Sequence, residues 1–143
     1  MPEKPFSWVP KENLLSFEEL FEFIKIAIDE GVKKIRITGG EPLVRKGVVQ
    51  LVSLLSGIDG IKELTMTSNG ILLSSFAKEL KAAGLHRINI RLDTMNPEKY
   101  AEITRGGNLS EVIAGIDAAF EAGLTAVKLN WVIRDWPDVP EAQ

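Results

Sequence analysis

The residues of this sequence best suited to binding chemistry are three cations, Arg36, Arg91 and Lys128, which stand among hydroxyl and amide side chains in short apolar stretches. Guanidinium and ammonium groups in such surroundings suit an anionic ligand, above all one that carries phosphate. The first stretch runs into segment 39–42, with the sequence Gly-Gly-Glu-Pro, where two residues without a Cβ allow a ligand to approach the backbone. These features predict an anion-binding site beside a glycine turn.

Short strands that alternate with helices are predicted to carry these side chains. The strands are predicted at 34–38, 63–67, 87–92 and 126–133. The helices are predicted at 17–30, 46–56, 75–83, 97–104 and 109–122, and the first begins at a capping box formed by Ser16 and Glu19. This alternation indicates parallel βαβ units and therefore an α/β fold.

Each predicted strand has one apolar and one polar face, because strand side chains alternate in direction. The polar faces together hold eight residues: Arg36, Thr38, Thr65, Thr67, Asn89, Arg91, Lys128 and Asn130. For a single strand the simplest interpretation is a solvated face whose cations pair with Glu41 and Asp93. Parallel sheets seldom leave a face in water. For four strands together we therefore expect a ligand, a partner or further chain to cover the face, with the ligand at the carboxyl ends of the strands.

The composition indicates one ordinary globular domain, since the chain has 143 residues, of which 45% are hydrophobic. A net charge of −3 argues against nucleic-acid or membrane-surface binding. No apolar run approaches the roughly 20 residues that span a bilayer, and the N-terminus lacks the pattern of a signal peptide, so a cytoplasmic location is expected. The chain contains no cysteine and one histidine, so no disulfide, thiol nucleophile, thiolate-held cluster or other metal site is predicted within it.

Three motifs of the chain, ITGGEP (37–42), TSNG (67–70) and INIRLD (88–93), resemble the radical SAM superfamily. They are similar in particular to the LTGGEP, TTNG and VNVSLD segments of the MoaA family of GTP 3′,8-cyclases, in the same order and at similar spacing. The first residues also resemble the sequence that follows the family's CxxxCxxC motif. The resemblance covers about residues 1–133. It implies one domain, 1–143, that forms part of a TIM-type barrel, with about four strands, helices on one face, an irregular lead-in at 1–15 and a tail at 134–143.

The resemblance also implies a chemistry. In that family a [4Fe–4S] cluster held by three cysteines cleaves S-adenosylmethionine (SAM) to a radical, which takes a hydrogen from GTP on the way to the pyranopterin precursor of the molybdenum cofactor. By this resemblance, four residues are assigned to the SAM cofactor: Gly39, Gly40, Glu41 and Arg91. Three are assigned to the substrate GTP: Arg36, Thr67 and Lys128. No catalytic residue of the chain itself is implied, and Glu41 is also expected to hold its own turn.

Two departures from the family shape our expectations. The cluster cysteines are absent, so we expect a fragment of the enzyme that is inactive alone. Arg91 stands where the family has a serine that contacts SAM, and it is expected either to fill part of the SAM site or to pair with Glu41 or Asp93. Two alternatives stay open: a radical SAM enzyme that acts on a peptide or a tetrapyrrole, and a non-catalytic anion-binding module. Open sheet edges predict that such a module self-associates, and the same edges predict a homo-oligomer for a fragment of the enzyme.

Overall fold

The computed structural model describes residues 14–124 and 126–132, so most of the predicted lead-in and the whole predicted tail lie outside the described residues. The helices are α1 (Phe17–Asp29), α2 (Val48–Ser56), α3 (Leu73–Ala82), α4 (Pro97–Thr104) and α5 (Leu109–Glu121). The strands are β1 (Lys34–Ile37), β2 (Glu63–Ser68), β3 (Arg87–Arg91) and β4 (Val127–Asn130), and a short 3-10 turn covers Pro42–Val44. None of the helices in this part of the chain is long and apolar enough to cross a membrane.

The four strands form one parallel sheet in the order β1-β2-β3-β4. Each strand is joined to the next by at least one helix, so the predicted α/β alternation is confirmed. The carboxyl ends of all four strands lie at one edge of the sheet, because parallel strands run in the same direction. The loops after β1, β2 and β3 therefore meet at this edge.

The core lies on the apolar face of the sheet, under the helices. Leu64 and Met66 of β2 and Ile88 and Ile90 of β3 are fully buried there. They pack into one cluster with apolar residues of the helices, among them Val52, Leu55, Leu80, Val112 and Ala119. Burial of large aliphatic side chains on this scale is the main force that holds helices to a sheet. The predicted apolar face is confirmed for these two central strands.

The helices cover the apolar face less completely at β4 than at the two central strands. Val127 packs against the core, but Leu129 is 46% exposed although its partner Ile90 in β3 is fully buried. β4 is an edge strand that pairs only with β3 among the described residues, and α5, the last helix described, precedes it. Leu129 consequently has core on one side only.

Candidate functional site

The register of the sheet arranges the polar side chains in rows that run across the strands. The pair Lys34 and Glu63 lies nearest the amino ends. We call the row above it, Arg36, Thr65 and Arg87, the first row; the second row is Thr67, Asn89 and Lys128, and the third is Arg91 and Asn130. Residues paired across parallel strands point to the same face, so the prediction that these side chains share one face is confirmed. Thr38 follows the end of β1 and is exposed.

The polar face is more than a solvated surface, because its centre is closed to solvent. Thr65 and Asn89 are buried, whereas Arg36 and Lys128 on the two outer strands are exposed. The Thr65 hydroxyl donates a hydrogen bond to the carbonyl oxygen of Ile35 at 3.3 Å. Polar groups at the middle of the sheet and cations at its flanks form a surface that suits an anionic ligand carrying hydrogen-bonding groups.

A cavity of about 270 Å³ opens on this face around the first row. Its charged lining consists of Lys34, Arg36, Glu63 and Arg87. Glu63 bonds to Lys34 at 3.4 Å and to Arg87 at 2.6 Å, while Arg36 makes no ion pair within the described ranges. Three cations against one carboxylate leave the cavity with a positive excess, which favours a phosphate-bearing ligand.

Lys34, Glu63 and Arg87 are site residues that the sequence reasoning missed. Each occupies the first position of its strand and shares a face with the predicted residues two positions further on. The strand alternation that selected Arg36 also selects Lys34, so the signal was present in the sequence. The partnership of Glu63 with two cations depends on the register, which the sequence pattern does not fix.

Glu41 ties the loop after β1 to the loop after β2. Its Oε1 accepts hydrogen bonds from the Leu43 backbone N–H at 3.1 Å and from the Ser68 hydroxyl at 2.9 Å. Its Oε2 accepts from the Asn69 backbone N–H at 2.7 Å. The Ser68 oxygen in turn accepts from the Gly70 N–H at 3.0 Å. Both carboxylate oxygens of Glu41 are therefore used within the protein, which gives this side chain a holding role in the turn.

Gly39 and Gly40 leave open space at the carboxyl edge of β1. A Cβ placed on either residue would meet no atom of residues 14–124 or 126–132 within 4 Å. Gly39 has a φ of 151°, a backbone conformation that residues with side chains rarely adopt. The turn thus presents backbone that no described side chain covers at these two positions, and the contact of this backbone with a ligand stays a prediction.

Arg91 pairs with Asp93, which decides between the partners that the sequence left open. Its Nε and Nη2 lie 2.8 and 2.7 Å from the Oδ2 of Asp93. This hydrogen bond raises the pKa of the Arg91 guanidinium above its usual value, against the opposing effect of partial burial. The other carboxylate oxygen, Oδ1, accepts from the Val132 backbone N–H at 3.4 Å and so links the end of β3 to the chain after β4.

Tyr100 of α4 is a buried residue whose hydroxyl is affected by the charge of Asp93. Burial raises the pKa of its hydroxyl, and the negative charge of Asp93 raises it further. Tyr100 is therefore a neutral part of the core at physiological pH rather than a charged site residue.

A match to a family model shows to which superfamily this chain belongs. The model of the Radical SAM superfamily matches residues 3–137. The chain belongs to the radical SAM superfamily. The resemblance that the three motifs indicated is thereby confirmed.

Curated relatives of this radical SAM chain carry the name GTP 3′,8-cyclase. The protein of Campylobacter curvus is 55% identical over 132 residues, which are 92% of this chain and 41% of that protein. The protein of Alkaliphilus oremlandii is 49% identical over the same coverage, and that of Sulfurovum is 54% identical over 92% of this chain and 40% of its own length. The chain thus spans about two fifths of the length of the curated relatives it matches.

A solved structure supports the fold independently. HydG, described as a maturase of the [FeFe]-hydrogenase, matches with a TM-score of 0.69 over 82% of this chain and 28% of its own length. The sequence identity is only 19%, so the likeness concerns the fold. The parallel sheet and its helices are therefore the α/β arrangement of a radical SAM barrel.

The radical SAM family implies a SAM cofactor and a [4Fe–4S] cluster, and the residues of this chain fit them unequally. The open backbone at Gly39 and Gly40 would leave room for a cofactor such as SAM. The chain has no cysteine to supply thiolates. Across residues 14–124 and 126–132, no group of three His, Asp or Glu residues is placed to hold a metal ion. The residues present therefore do not fit a thiolate-held cluster.

Proposed function

We propose that this chain provides the nucleotide-binding face and the SAM-facing turn of a radical SAM enzyme of the GTP 3′,8-cyclase kind. The observation that supports this most strongly is the register. It brings Arg36, Thr67 and Lys128, which the family resemblance assigns to GTP, onto one face beside a cationic cavity. The names of the curated relatives agree with this substrate.

In this proposal the phosphates of GTP lie at the first row of the polar face. Arg36 is the cation without an ion pair in the described ranges, and it binds phosphate together with Lys34 and Arg87 around the cavity. Lys128, exposed on β4, adds a fourth positive charge, and the Thr67 hydroxyl between the two edge strands supplies a neutral hydrogen bond. Guanidinium groups are well matched to phosphate because they donate several hydrogen bonds from one plane.

The SAM contacts are proposed at the carboxyl edge of the sheet. The backbone of Gly39 and Gly40 lies against the cofactor, where no side chain intervenes. Glu41 serves the cofactor by fixing this turn, since protein donors already occupy both of its oxygens. Arg91 is held by Asp93 and yet its side chain is 55% exposed, so its remaining N–H groups are placed to bind the carboxylate of SAM.

Binding of GTP is the experiment that tests the proposal. We expect isothermal titration calorimetry to detect GTP binding to this chain, and we expect Arg36→Gln to weaken it about tenfold, because one charge-assisted contact to phosphate is lost. Lys78→Gln is the matched control, since it removes one positive charge from an exposed position on α3. Equal losses in both variants, or no GTP binding by the unaltered chain, would reject the assignment.

The same titration separates GTP from other substrates of radical SAM enzymes. Arg91, in the place of the family's serine, is the feature that leaves room for a peptide or a tetrapyrrole. A chain that fails to bind GTP and yet binds SAM would favour one of those substrates.

We further propose that the 143-residue chain does not cleave SAM by itself, since it contains no cysteine to hold the cluster. After anaerobic reconstitution with iron and sulfide, we expect no 5′-deoxyadenosine above the level of a protein-free control. Chromatography with mass detection measures this product. Its formation in proportion to chain concentration would overturn the proposal.

Self-association is proposed through the edges of the sheet. Among the described residues, β1 and β4 each pair with one neighbour only, and Leu129 and Val132 stand exposed beside the β4 edge. Unpaired strand edges tend to pair with other chains. We expect multi-angle light scattering to give a mass above that of the monomer at high concentration, and a Leu129→Lys variant to shift it toward the monomer. A monomer at every concentration tested would contradict this.

A further inference from the structure

Asn89 is a buried side chain with an unused hydrogen-bond acceptor at the centre of the polar face. It is 2% exposed and lies in the second row, between Thr67 on β2 and Lys128 on β4. Its Oδ1 is closed to solvent and receives no hydrogen bond from the described part of the chain. Leaving a buried carbonyl oxygen without a donor costs free energy, so such an atom calls for a partner that the described residues do not provide.

An unused acceptor is particular to Asn89 among the buried polar side chains that the structure describes. Thr65, equally buried on the same face, satisfies its hydroxyl within the sheet by donating to Ile35. The other two buried side-chain atoms without partners, Arg87 Nε and Trp131 Nε1, are donors. Asn89 is therefore the one buried side-chain acceptor in the described ranges that awaits a donor.

The spacing of the rows indicates which donor is suitable. Successive residues of a strand rise by about 3.3 Å, so the second row lies roughly 7 Å from the first, toward the carboxyl ends. When the phosphates of a nucleotide occupy the cavity at the first row, the sugar that follows them falls at the second row. The hydroxyl groups of a ribose are hydrogen-bond donors, and they are the part of a nucleotide that reaches this position.

We propose that Asn89 binds the ribose of the nucleotide, with its Oδ1 accepting a hydrogen bond from one ribose hydroxyl. This assignment rests on the proposed function and adds to it a residue that recognises the sugar. Lys128, the register partner of Asn89 on the edge strand, is exposed and stands next to the proposed sugar position. Asn89 then discriminates nucleotides that carry this hydroxyl from those that lack it, while the cations of the first row bind phosphate without regard to the sugar.

The test compares GTP with analogues that lack one hydroxyl. The chain and its Asn89→Leu variant, which removes the acceptor and keeps a similar volume, are titrated by calorimetry with GTP, 2′-deoxy-GTP, 3′-deoxy-GTP and inorganic tripolyphosphate. We expect the substitution to weaken the binding of GTP about fivefold to tenfold, which corresponds to the loss of one hydrogen bond. For one of the two deoxynucleotides, and for tripolyphosphate, we expect a change of less than about twofold, because the bonded hydroxyl is absent.

Thermal unfolding and a second variant test whether a change in affinity comes only from a change in the stability of the fold. We expect Asn89→Leu to leave the melting temperature unchanged or higher, because it removes a buried acceptor that has no partner. Asn89→Ala, which introduces no larger side chain, should show the same pattern of nucleotide affinities. Asn108→Ala is the matched control: it removes the cap of α5, where the Asn108 side chain accepts from Ser110, and should lower the melting temperature without changing discrimination among the nucleotides.

Each outcome separates this inference from the proposal beneath it. In one outcome the unaltered chain binds GTP while the Asn89 variants reduce the affinity of all four ligands equally, or of none. In that case the ribose contact is rejected and GTP binding stands. If the unaltered chain binds tripolyphosphate but not GTP, the proposed substrate fails, and the ribose contact fails with it. A loss confined to ligands that carry one particular hydroxyl supports the inference.

Discussion

Replacing Gly115 with alanine is expected to destabilise the protein by about 3 kcal/mol, the upper part of the range for overpacking a core. Gly115 is a buried residue of α5 that packs on the turn before α3. An added Cβ would overlap the carbonyl oxygen of Gly70 and lie 3.1 Å from the Cβ of Leu73. That carbonyl also accepts the Leu73 N–H at 3.1 Å, so it cannot turn away without breaking the start of α3. Urea unfolding followed by circular dichroism measures the loss.

Gly57→Ala is the matched control for this prediction. Gly57 follows α2 with a φ of −81°, and the nearest atom to an added Cβ is the Leu54 carbonyl oxygen at 3.6 Å. Alanine fits there without strain and reduces the freedom of the unfolded chain, so we expect a gain of up to about 1 kcal/mol. Equal urea midpoints for the two alanine variants would show that α5 does not approach the Gly70 turn this closely.

The close approach at Gly115 also joins the core to the candidate site. Gly70 belongs to the TSNG motif, and its N–H donates to the Ser68 hydroxyl that is bonded to Glu41. Gly70 has a φ of 83°, and a Cβ there would meet Val112 of α5 at 3.0 Å. Gly70 therefore meets two requirements: a left-handed backbone conformation in the turn after β2, and close packing against α5. Both explain why a glycine stands at this point of the motif.

Much of the fold could be predicted from the sequence, because its signals are local. The alternation of side chains along a strand is fixed by the pleat, so the shared face of Arg36, Thr67 and Lys128 followed without knowledge of the tertiary structure. The start of α1 followed from the capping box of Ser16 and Glu19, which the structure contains. The start of α3 was placed two residues late, because Leu72 precedes it and offers no side-chain cap.

What the sequence could not provide are the partners of charged groups across the fold. The link between Glu41 and Ser68 joins residues that lie 27 positions apart, and it depends on how β1 and β2 are aligned. Register is set by the packing of whole elements, so it is absent from any local pattern. The pairing of Arg91 is different, because Asp93 lies only two positions further along the chain; the structure selects this local carboxylate over Glu41. The exposure of Leu129 depends on its position at the edge of the sheet.

Replacing Glu41 with glutamine is expected to destabilise the protein by about 2 kcal/mol, the cost of leaving a partly buried donor unpaired. The carboxylate accepts from Leu43, Ser68 and Asn69 at once. An amide offers one acceptor oxygen and one NH₂ group, so in either orientation its NH₂ opposes a backbone N–H. The loops after β1 and β2 then separate, and amide hydrogen exchange at Asn69 should accelerate together with the loss of stability seen in urea.

Glu22→Gln is the matched control, because among the described residues Glu22 pairs with Lys25 alone, at 3.5 Å, and its side chain is 65% exposed. An exposed pair of this kind contributes roughly 0–1 kcal/mol, so we expect almost no change in the urea midpoint. If Glu41 acted instead as a free ligand for the SAM amine, Glu41→Gln would leave stability and Asn69 exchange untouched and would weaken SAM binding alone. The two roles thus predict opposite results from the same variant, and the three protein donors at the carboxylate favour the holding role, through which Glu41 keeps the backbone of Gly39 and Gly40 in place for the cofactor.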